Sequence, residues 1–180
     1  MANQETTKRS ALDAAHIVER LQTVGVERLR DEEEVWAILD PSELRKPYAR
    51  RMEDLMKVRA LEGEGTVPGY RTLNVLGVGR SGRRGILYHR LFSSSEEGFC
   101  SESQEIQRAL ACVGEALSEH RGKVTYIMDR QFDDAGVWAT IWEQGNHLVC
   151  RLKHRERLVE QKVGGGWKQV KVWRSNALPF

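Results

Sequence analysis

The sequence predicts a mixed α/β fold in which helices flank one central sheet. Three observations lead to this prediction: a globular composition, repeated apolar runs of strand length, and helical segments that alternate with those runs in the second half of the chain. The 180 residues are 40% hydrophobic and 30% charged. These values suit one globular domain and exclude wholesale disorder and a collagen-like or coiled-coil chain.

The first third of the chain is predicted to contain one helix and one strand. Apolar residues at three-residue steps predict a helix over 10–30. The run VWAILD predicts a buried strand over 35–40, which Pro41 should end because proline offers no amide hydrogen. The charged stretch 42–62 is predicted to be irregular, with a helix around 48–61.

A hairpin and the longest helix follow. The segments 69–79 and 85–92 predict two strands joined by a turn at SGRR. An amphipathic helix is predicted over 101–122, because Ser101 and Gln104 fit a capping box and Gly122 is a natural stop.

The last third alternates strand and helix before a second hairpin. Strands are predicted over 124–129 and 147–153, with a helix over 135–144 between them. The glycine-rich stretch 163–173 predicts a hairpin. The order strand, strand, strand, helix, strand, helix, strand is that of a mixed sheet in which helix 101–122 crosses over to the strand at 124–129.

Charge, cysteines and apolar runs exclude several classes of protein. The net charge is only +2, but residues 71–90 contain five arginines and no acid, which indicates either a solvated hairpin face or a surface that follows phosphates. The three cysteines form no CxxC, so free thiols in a reducing cytoplasm are expected. No apolar run reaches the ~20 residues that span a bilayer, and no secretory signal opens the chain. We therefore expect a cytoplasmic protein with no membrane partner.

Two acidic residues each follow an apolar run of strand length. Asp40 ends VWAILD, and Asp129 ends VTYIMD. If the two strands are neighbours and parallel, both carboxylates emerge at one edge of the sheet and repel each other unless a cation lies between them. Carboxylate oxygens favour Mg²⁺ or Mn²⁺, and such ions in pairs support in-line displacement at phosphorus. The alternative is that each acid is a turn residue or a helix cap.

The words around these acids resemble the DDE transposases of bacterial insertion sequences, most closely the insertion-sequence family numbered four. In that family the first catalytic Asp precedes a "DxTxL-K-Y" type stretch, and the second opens a D-R-x-x-D word. The matching residues here are Asp40, Leu44, Lys46 and Tyr48, and then Asp129, Arg130 and Asp133. The resemblance also covers GYRTLNVLGVG, ILYHRLFSS and the long helix, about residues 33–160 in all.

The resemblance implies a ribonuclease-H-like fold and metal-dependent hydrolysis and strand transfer of DNA. Asp40 and Asp129 would be the catalytic ligands of Mg²⁺ or Mn²⁺. Arg130 would contact DNA near the site, unless it forms a surface ion pair. The basic pair Arg83 and Arg84 is a further candidate for DNA contact. The implied partners are transposon ends and target DNA, with a homodimer in the full-length protein, located in the bacterial cytoplasm and on the nucleoid when DNA-bound.

The chain also departs from the family pattern. The family's third acid is a Glu within a Tyr-x-x-Arg-x-x-x-Glu-x-x-x-x-x-x-Lys signature, which this sequence lacks. Glu156 and Glu160 are the late acids. We therefore expect a transposase fragment or degenerate copy that is inactive alone, with a helical segment (1–32), a partial catalytic core (33–155) and the start of a β-rich insertion (156–180).

Two other functions remain open at this stage. One is a ribonuclease-H-like nuclease that draws a third acid, such as Glu156, from this chain. The other is a non-catalytic DNA-binding or interaction protein that keeps only the fold. The word Gly77-Val-Gly79-Arg-Ser-Gly82 matches GxGxxG, but a strand follows it where a dinucleotide site needs a helix. We therefore predict a hairpin turn there, with Arg83 and Arg84 exposed and no nucleotide bound.

Overall fold

A computed structural model describes residues 14–63, 65–154 and 158–171 as three helices, a six-stranded sheet and a separate two-stranded hairpin. The helices are α1 (Ala14–Leu29), α2 (Glu102–Ala116) and α3 (Ala135–Glu143). The strands are β1 (Val35–Arg45), β2 (Met56–Arg59), β3 (Thr66–Gly79), β4 (Arg84–Phe92), β5 (Val124–Met128), β6 (His147–Cys150), β7 (Leu158–Val163) and β8 (Gly166–Lys171). None of these helices is long and apolar enough to cross a membrane.

The sheet is mixed, as the sequence predicts. Its strands are ordered β2-β3-β1-β5-β6, and β4 pairs with β3 further along that long strand. The pairs β1–β3, β2–β3 and β3–β4 are antiparallel, whereas β1–β5 and β5–β6 are parallel. The path β4-β3-β1-β5-β6, with α2 as the crossover from β4 to β5, is a mixed sheet with flanking helices. The predicted fold class is therefore confirmed.

One face of the sheet carries the hydrophobic core. Alternate residues of β1 and β5 are buried, including Ala37 and Tyr126, and α1, α2 and α3 all contribute buried side chains to the same cluster. The alternation places the intervening residues on the opposite face, which no described helix covers. Large apolar side chains are half-exposed there, with Trp36 at 41% and Val149 at 59%.

The predicted end of the first strand is wrong, because β1 continues through Pro41 to Arg45. The amide of Val35 donates to the carbonyl of Lys123 on the β5 side, so by alternation the nitrogen of Pro41 faces that side too. There β5 has already ended at Met128. The missing N–H of proline therefore costs the sheet no hydrogen bond, which is how proline is accepted at an edge.

The predicted helix around 48–61 is also wrong. This stretch forms turns and the short strand β2, whose Val58 is buried against the beginning of β3. Helix α2 is shorter than predicted, because a 3₁₀ turn at Ser118–His120 follows it before Gly122 takes a left-handed φ of 78°. The second hairpin is confirmed but begins earlier than predicted, and both Gly164 and Gly165 at its tip have positive φ.

Candidate metal-binding site at the ends of β1 and β5

The pairing of β1 with β5 brings the two predicted acids side by side. The strands are parallel neighbours, and Ile38 lies opposite Ile127. Asp40 and Asp129 lie two residues beyond this pair, each at the same level and on the same open face of the sheet. Neighbouring strands are about 5 Å apart, so the backbone positions that carry the two carboxylates are neighbours at this end of the sheet. The prediction of adjacent, parallel strands is confirmed.

Local hydrogen bonds orient both carboxylates. The Ser42 hydroxyl donates to Oδ2 of Asp40 at 3.0 Å, and the amide of Gln131 donates to Oδ1 of Asp129 at 2.8 Å. Asp129 thereby caps the 3₁₀ turn Arg130–Phe132, so its role as a helix cap coexists with its place beside Asp40. Both residues are exposed.

This donor set fits a hard divalent cation. Two carboxylates on one face supply the oxygen ligands that Mg²⁺ and Mn²⁺ prefer, and Mg²⁺ commonly keeps several waters beside one or two carboxylates. Among the described residues, no group of three His, Cys, Asp or Glu could hold a metal ion. Glu156 lies outside the described residues, and Glu160 lies in β7 of the separate hairpin.

Two further polar residues, which the sequence analysis missed, lie on neighbouring strands at the same level as the two acids. Asn74 of β3 lies opposite Asp40, and His89 of β4 lies opposite Asn74. Nδ1 of His89 lies 2.7 Å from Oδ1 of Asn74. Four strands therefore place polar side chains at one level of the open face, although only the two acids stand at the end of an apolar run and could be found from the sequence.

Arg130 and Asp133, the other residues of the D-R-x-x-D word, have different surroundings. Arg130 is exposed directly after Asp129. Asp133 is buried, and its Oδ2 accepts hydrogen bonds from the amides of Lys153 at 2.7 Å and His154 at 2.8 Å. Through these two hydrogen bonds, Asp133 connects the segment after β6 to the 3₁₀ turn that follows Asp129.

Arg83 and Arg84 lie at the opposite end of the sheet from the acids. Gly79 pairs with Val35, five residues before Asp40, which corresponds to about 17 Å along the strand. The turn is a hairpin in which Gly82 has a φ of 87° and strand β4 follows directly, as predicted. Arg83 is exposed and lies 3.8 Å from a carboxylate oxygen of Asp31. The structure does not bring this pair to Asp40 and Asp129.

The five arginines of residues 71–90 do not form a purely basic surface. Arg71 contacts Glu43 and Glu102, and Arg80 lies 4.0 Å from Glu33. Arg90 bonds to Glu96 and to the buried Glu105, both at 3.1 Å. The neutralising acids all lie outside residues 71–90, so a count of charges within that stretch could not reveal them.

Comparison with known proteins gives matches only among solved structures. No model of a protein family and no curated protein matches the sequence. Three of the similar structures are a Mos1 transposase paired-end complex with the left transposon end, a Mos1 mariner paired-end complex with Mn, and a Mos1 strand transfer complex. Each is 14% identical to this chain, with TM-scores of 0.38, 0.38 and 0.36.

The matched region is a large part of this chain and a smaller part of those proteins. It covers 82%, 82% and 73% of the residues here, and 46%, 47% and 39% of the respective transposase chains. This chain therefore spans less than half the length of each of them.

Proposed function

We propose that this chain carries the front part of the catalytic domain of a DDE transposase of the bacterial insertion-sequence family numbered four. The observation that supports this most is the parallel pairing of β1 and β5, which sets Asp40 beside Asp129 on one face of a ribonuclease-H-like sheet. Both acids lie in sequence motifs that resemble those of this family. The substrate is DNA, at transposon ends and at a target.

The two carboxylates would hold a divalent cation, Mg²⁺ or Mn²⁺. When bound, such an ion supplies Lewis-acid stabilisation and an activated oxygen nucleophile for in-line displacement at phosphorus. The residues of this chain contribute the oxygen ligands, and Ser42 and the amide of Gln131 keep the carboxylates oriented. Without a cation, the two exposed negative charges repel each other and also repel a DNA phosphate.

DNA contacts near the acids would come from Arg130, because it directly follows Asp129 and is exposed. Arg83 and Arg84 would contact DNA only at the far end of the sheet, and Arg83 already lies near Asp31. We further propose a homodimer in the full-length protein. Its place would be the bacterial cytoplasm, on the nucleoid when bound to DNA.

The 180 residues lack the family's third acid, and we propose that they are incomplete as an enzyme. That acid would complete the binding of a second ion, which stabilises the attacking or the leaving oxygen. Removal of one stabiliser of a developing oxyanion costs about 10²–10³ in rate. Loss of a metal ligand should cost at least as much, so this chain alone should bind DNA without cutting or joining it.

The test uses the purified chain, supercoiled plasmid and Mn²⁺, with Asp40→Asn and Asp129→Asn beside the wild type. Asp31→Asn is the matched control, because it removes an exposed carboxylate far from the site. We expect Mn²⁺ to strengthen DNA binding by the wild type and the control but not by the two site variants. No strand cleavage is expected from any of them.

Three outcomes would overturn parts of this proposal. Metal-independent DNA binding that survives Asp40→Asn would support a non-catalytic DNA-binding protein. Nicking of plasmid that lacks any transposon end, lost in both site variants, would support a nuclease with a third ligand in this chain. Absence of any DNA binding would remove DNA as the substrate.

A further inference from the structure

A β-bulge in the β3–β4 hairpin determines which face of the sheet the end of β4 presents. The register shifts between Val75 and Leu76, where the buried Leu87 is the extra residue of β4. In a regular strand His89 would face the core with Leu87, because side chains two residues apart share a face. The bulge turns His89 to the open face, where it is the partner of Asn74. Bulges that redirect a side chain in this way are frequent next to active sites.

The bulge thereby places His89 level with the two acids. Asn74 lies opposite Asp40 on the neighbouring strand, and His89 lies opposite Asn74 one strand further. Partners across a pair of antiparallel strands have Cβ atoms about 4.5–5.5 Å apart. Asn74 is therefore the cross-strand neighbour of Asp40 on the side away from Asp129.

Two hydrogen bonds fix the orientation of the Asn74 amide. Nδ1 of His89 lies 2.7 Å from Oδ1 of Asn74, and Nδ2 of Asn74 donates to Oγ1 of Thr72 at 3.3 Å. A carbonyl oxygen only accepts, so Nδ1 of His89 carries the hydrogen of the first bond. An amide nitrogen has two hydrogens, and the bond to Thr72 uses one of them. The amide therefore has a second hydrogen with which to bind a ligand on the open face.

We propose that Asn74 donates a hydrogen bond to the DNA phosphate that is bound through the cation at Asp40 and Asp129, and that His89 positions the Asn74 amide. The inference rests on the proposed function and adds an uncharged phosphate contact to its site. Asparagine is among the side chains that contact DNA phosphates. Hydrogen bonds to an ionised acceptor such as a phosphate are stronger than those between neutral groups.

An uncharged donor suits a position beside two carboxylates. A basic side chain at position 74 would form an ion pair with Asp40 and compete with the cation for its oxygens. A carboxylate there would add a third negative charge and repel the phosphate. The amide avoids both effects. The bond from His89 occupies Oδ1, so Nδ2 is the group that faces a ligand as a donor.

The experiment compares Mn²⁺ binding with Mn²⁺-dependent DNA binding by the purified chain. The electron paramagnetic resonance signal of free Mn²⁺ measures the first, and the fluorescence anisotropy of a short labelled duplex measures the second. Asn74→Leu should leave the affinity for Mn²⁺ unchanged, because the proposal gives the cation no bond to Asn74. The same variant should weaken DNA binding about 10-fold, the lower end for a hydrogen bond to a charged group.

The salt dependence of DNA binding distinguishes a neutral contact from a charged one. Loss of a basic residue that contacts a phosphate lowers the slope of log affinity against log salt by about 0.9 on duplex DNA. Asn74→Leu removes no charge, so its slope should equal that of the wild type. Thr125→Val is the matched control, because it removes a polar group from the same face of β5, four residues before Asp129. It should bind Mn²⁺ and DNA as the wild type does.

Variants of His89 test its positioning role. His89→Leu removes the donor to Oδ1 of Asn74 and should weaken DNA binding by less than Asn74→Leu, with Mn²⁺ binding unchanged. The amide of an asparagine can donate from nearly the position of Nδ1, so His89→Asn should restore the wild-type affinity for DNA. A residue that only filled space would not be replaced successfully by a smaller polar side chain.

Three results, each with a native circular dichroism spectrum, would overturn the inference. Asn74→Leu could bind DNA as tightly as the wild type, or it could lose Mn²⁺ and DNA binding together, as a cation ligand would. His89→Asn could bind DNA as weakly as His89→Leu, which would remove the positioning role. The proposed function stands in each case if Asp40→Asn and Asp129→Asn still lose Mn²⁺-dependent DNA binding. A wild type without such binding would instead remove the proposed function and the inference together.

Discussion

Replacement of Gly25 by alanine should displace α1 from its contact with the sheet and lower the stability of the fold. Gly25 is buried where α1 crosses β4, and a Cβ added there would lie 2.9 Å from the carbonyl carbon of Ile86 and 3.1 Å from its nitrogen. Across the contact, a Cβ on Gly85 would lie 2.7 Å from the carbonyl oxygen of Gly25. These neighbours are backbone atoms, so no rotamer change can relieve the clash and the helix itself must move.

The expected loss of stability can be worked out from two opposing effects. Overpacking of a tight position costs about 1–3 kcal/mol, and a backbone neighbour places this site near the upper value. Alanine in place of glycine returns about 1 kcal/mol of helix propensity. The net loss is therefore about 2 kcal/mol, which lowers a urea midpoint by about 1 M for an m-value of about 2 kcal/mol/M.

Urea unfolding followed by circular dichroism measures this loss. Thr23→Ala is the control, because Thr23 is exposed on the same helix and its replacement should raise stability by a few tenths of a kcal/mol. A Gly25→Ala variant as stable as the wild type would refute the close approach of α1 to β4.

Three further predictions concern charge and ligand specificity. Glu105→Gln should lower the free energy of unfolding by about 2 kcal/mol, because this buried carboxylate bonds to two partly exposed arginines. Glu96→Gln should lower it by less than ~1 kcal/mol, because Glu96 is half-exposed. Equal losses in urea unfolding would contradict this. Hydrogen bonds from the hydroxyl and amide of Ser81 lower the pKa of Glu32. The ionised Glu32 therefore stabilises the fold above its unfolded pKa of about 4.3, and this stabilisation is lost as the pH falls. A stability difference between wild type and Glu32→Gln that stays constant from about pH 7 to pH 3 would contradict this. Calorimetric titration with NAD or ATP should give no saturable binding, and tight binding abolished by Gly82→Ala would overturn the prediction that this hairpin turn binds no nucleotide.

The strands of the central sheet could be predicted because burial leaves a pattern in the sequence. β1 and β5 are buried at alternate positions and flanked by apolar neighbours, so VWAILD and VTYIMD stand out from the charged segments around them. The same pattern led to Asp40 and Asp129, since each acid interrupts an apolar run. Their adjacency is predicted because both strands are apolar and both end in an acid, and the parallel pairing of β1 with β5 confirms it.

Other features depend on contacts that a local pattern does not record. β2 has one buried side chain, Val58, among charged residues, so nothing in MKVR distinguishes it from a turn or a helix. Pro41 remains in β1 only because β5 ends beside it. The ion pair of Arg71 with Glu102 joins residues that are 31 positions apart. Because of this pair, a stretch that is basic in the sequence forms a surface of mixed charge in the structure.

The central claim is that Asp40 and Asp129 together hold a divalent cation, and titration of the purified chain with Mn²⁺ tests it most directly. Calorimetry or the electron paramagnetic resonance signal of free Mn²⁺ reports binding without any need for catalysis. We expect weak, saturable binding by the wild type and by Asp31→Asn, and none by Asp40→Asn or Asp129→Asn, because two carboxylates are the ligands that the register of β1 and β5 provides. Mn²⁺ binding that is equal in all four proteins would contradict the claim.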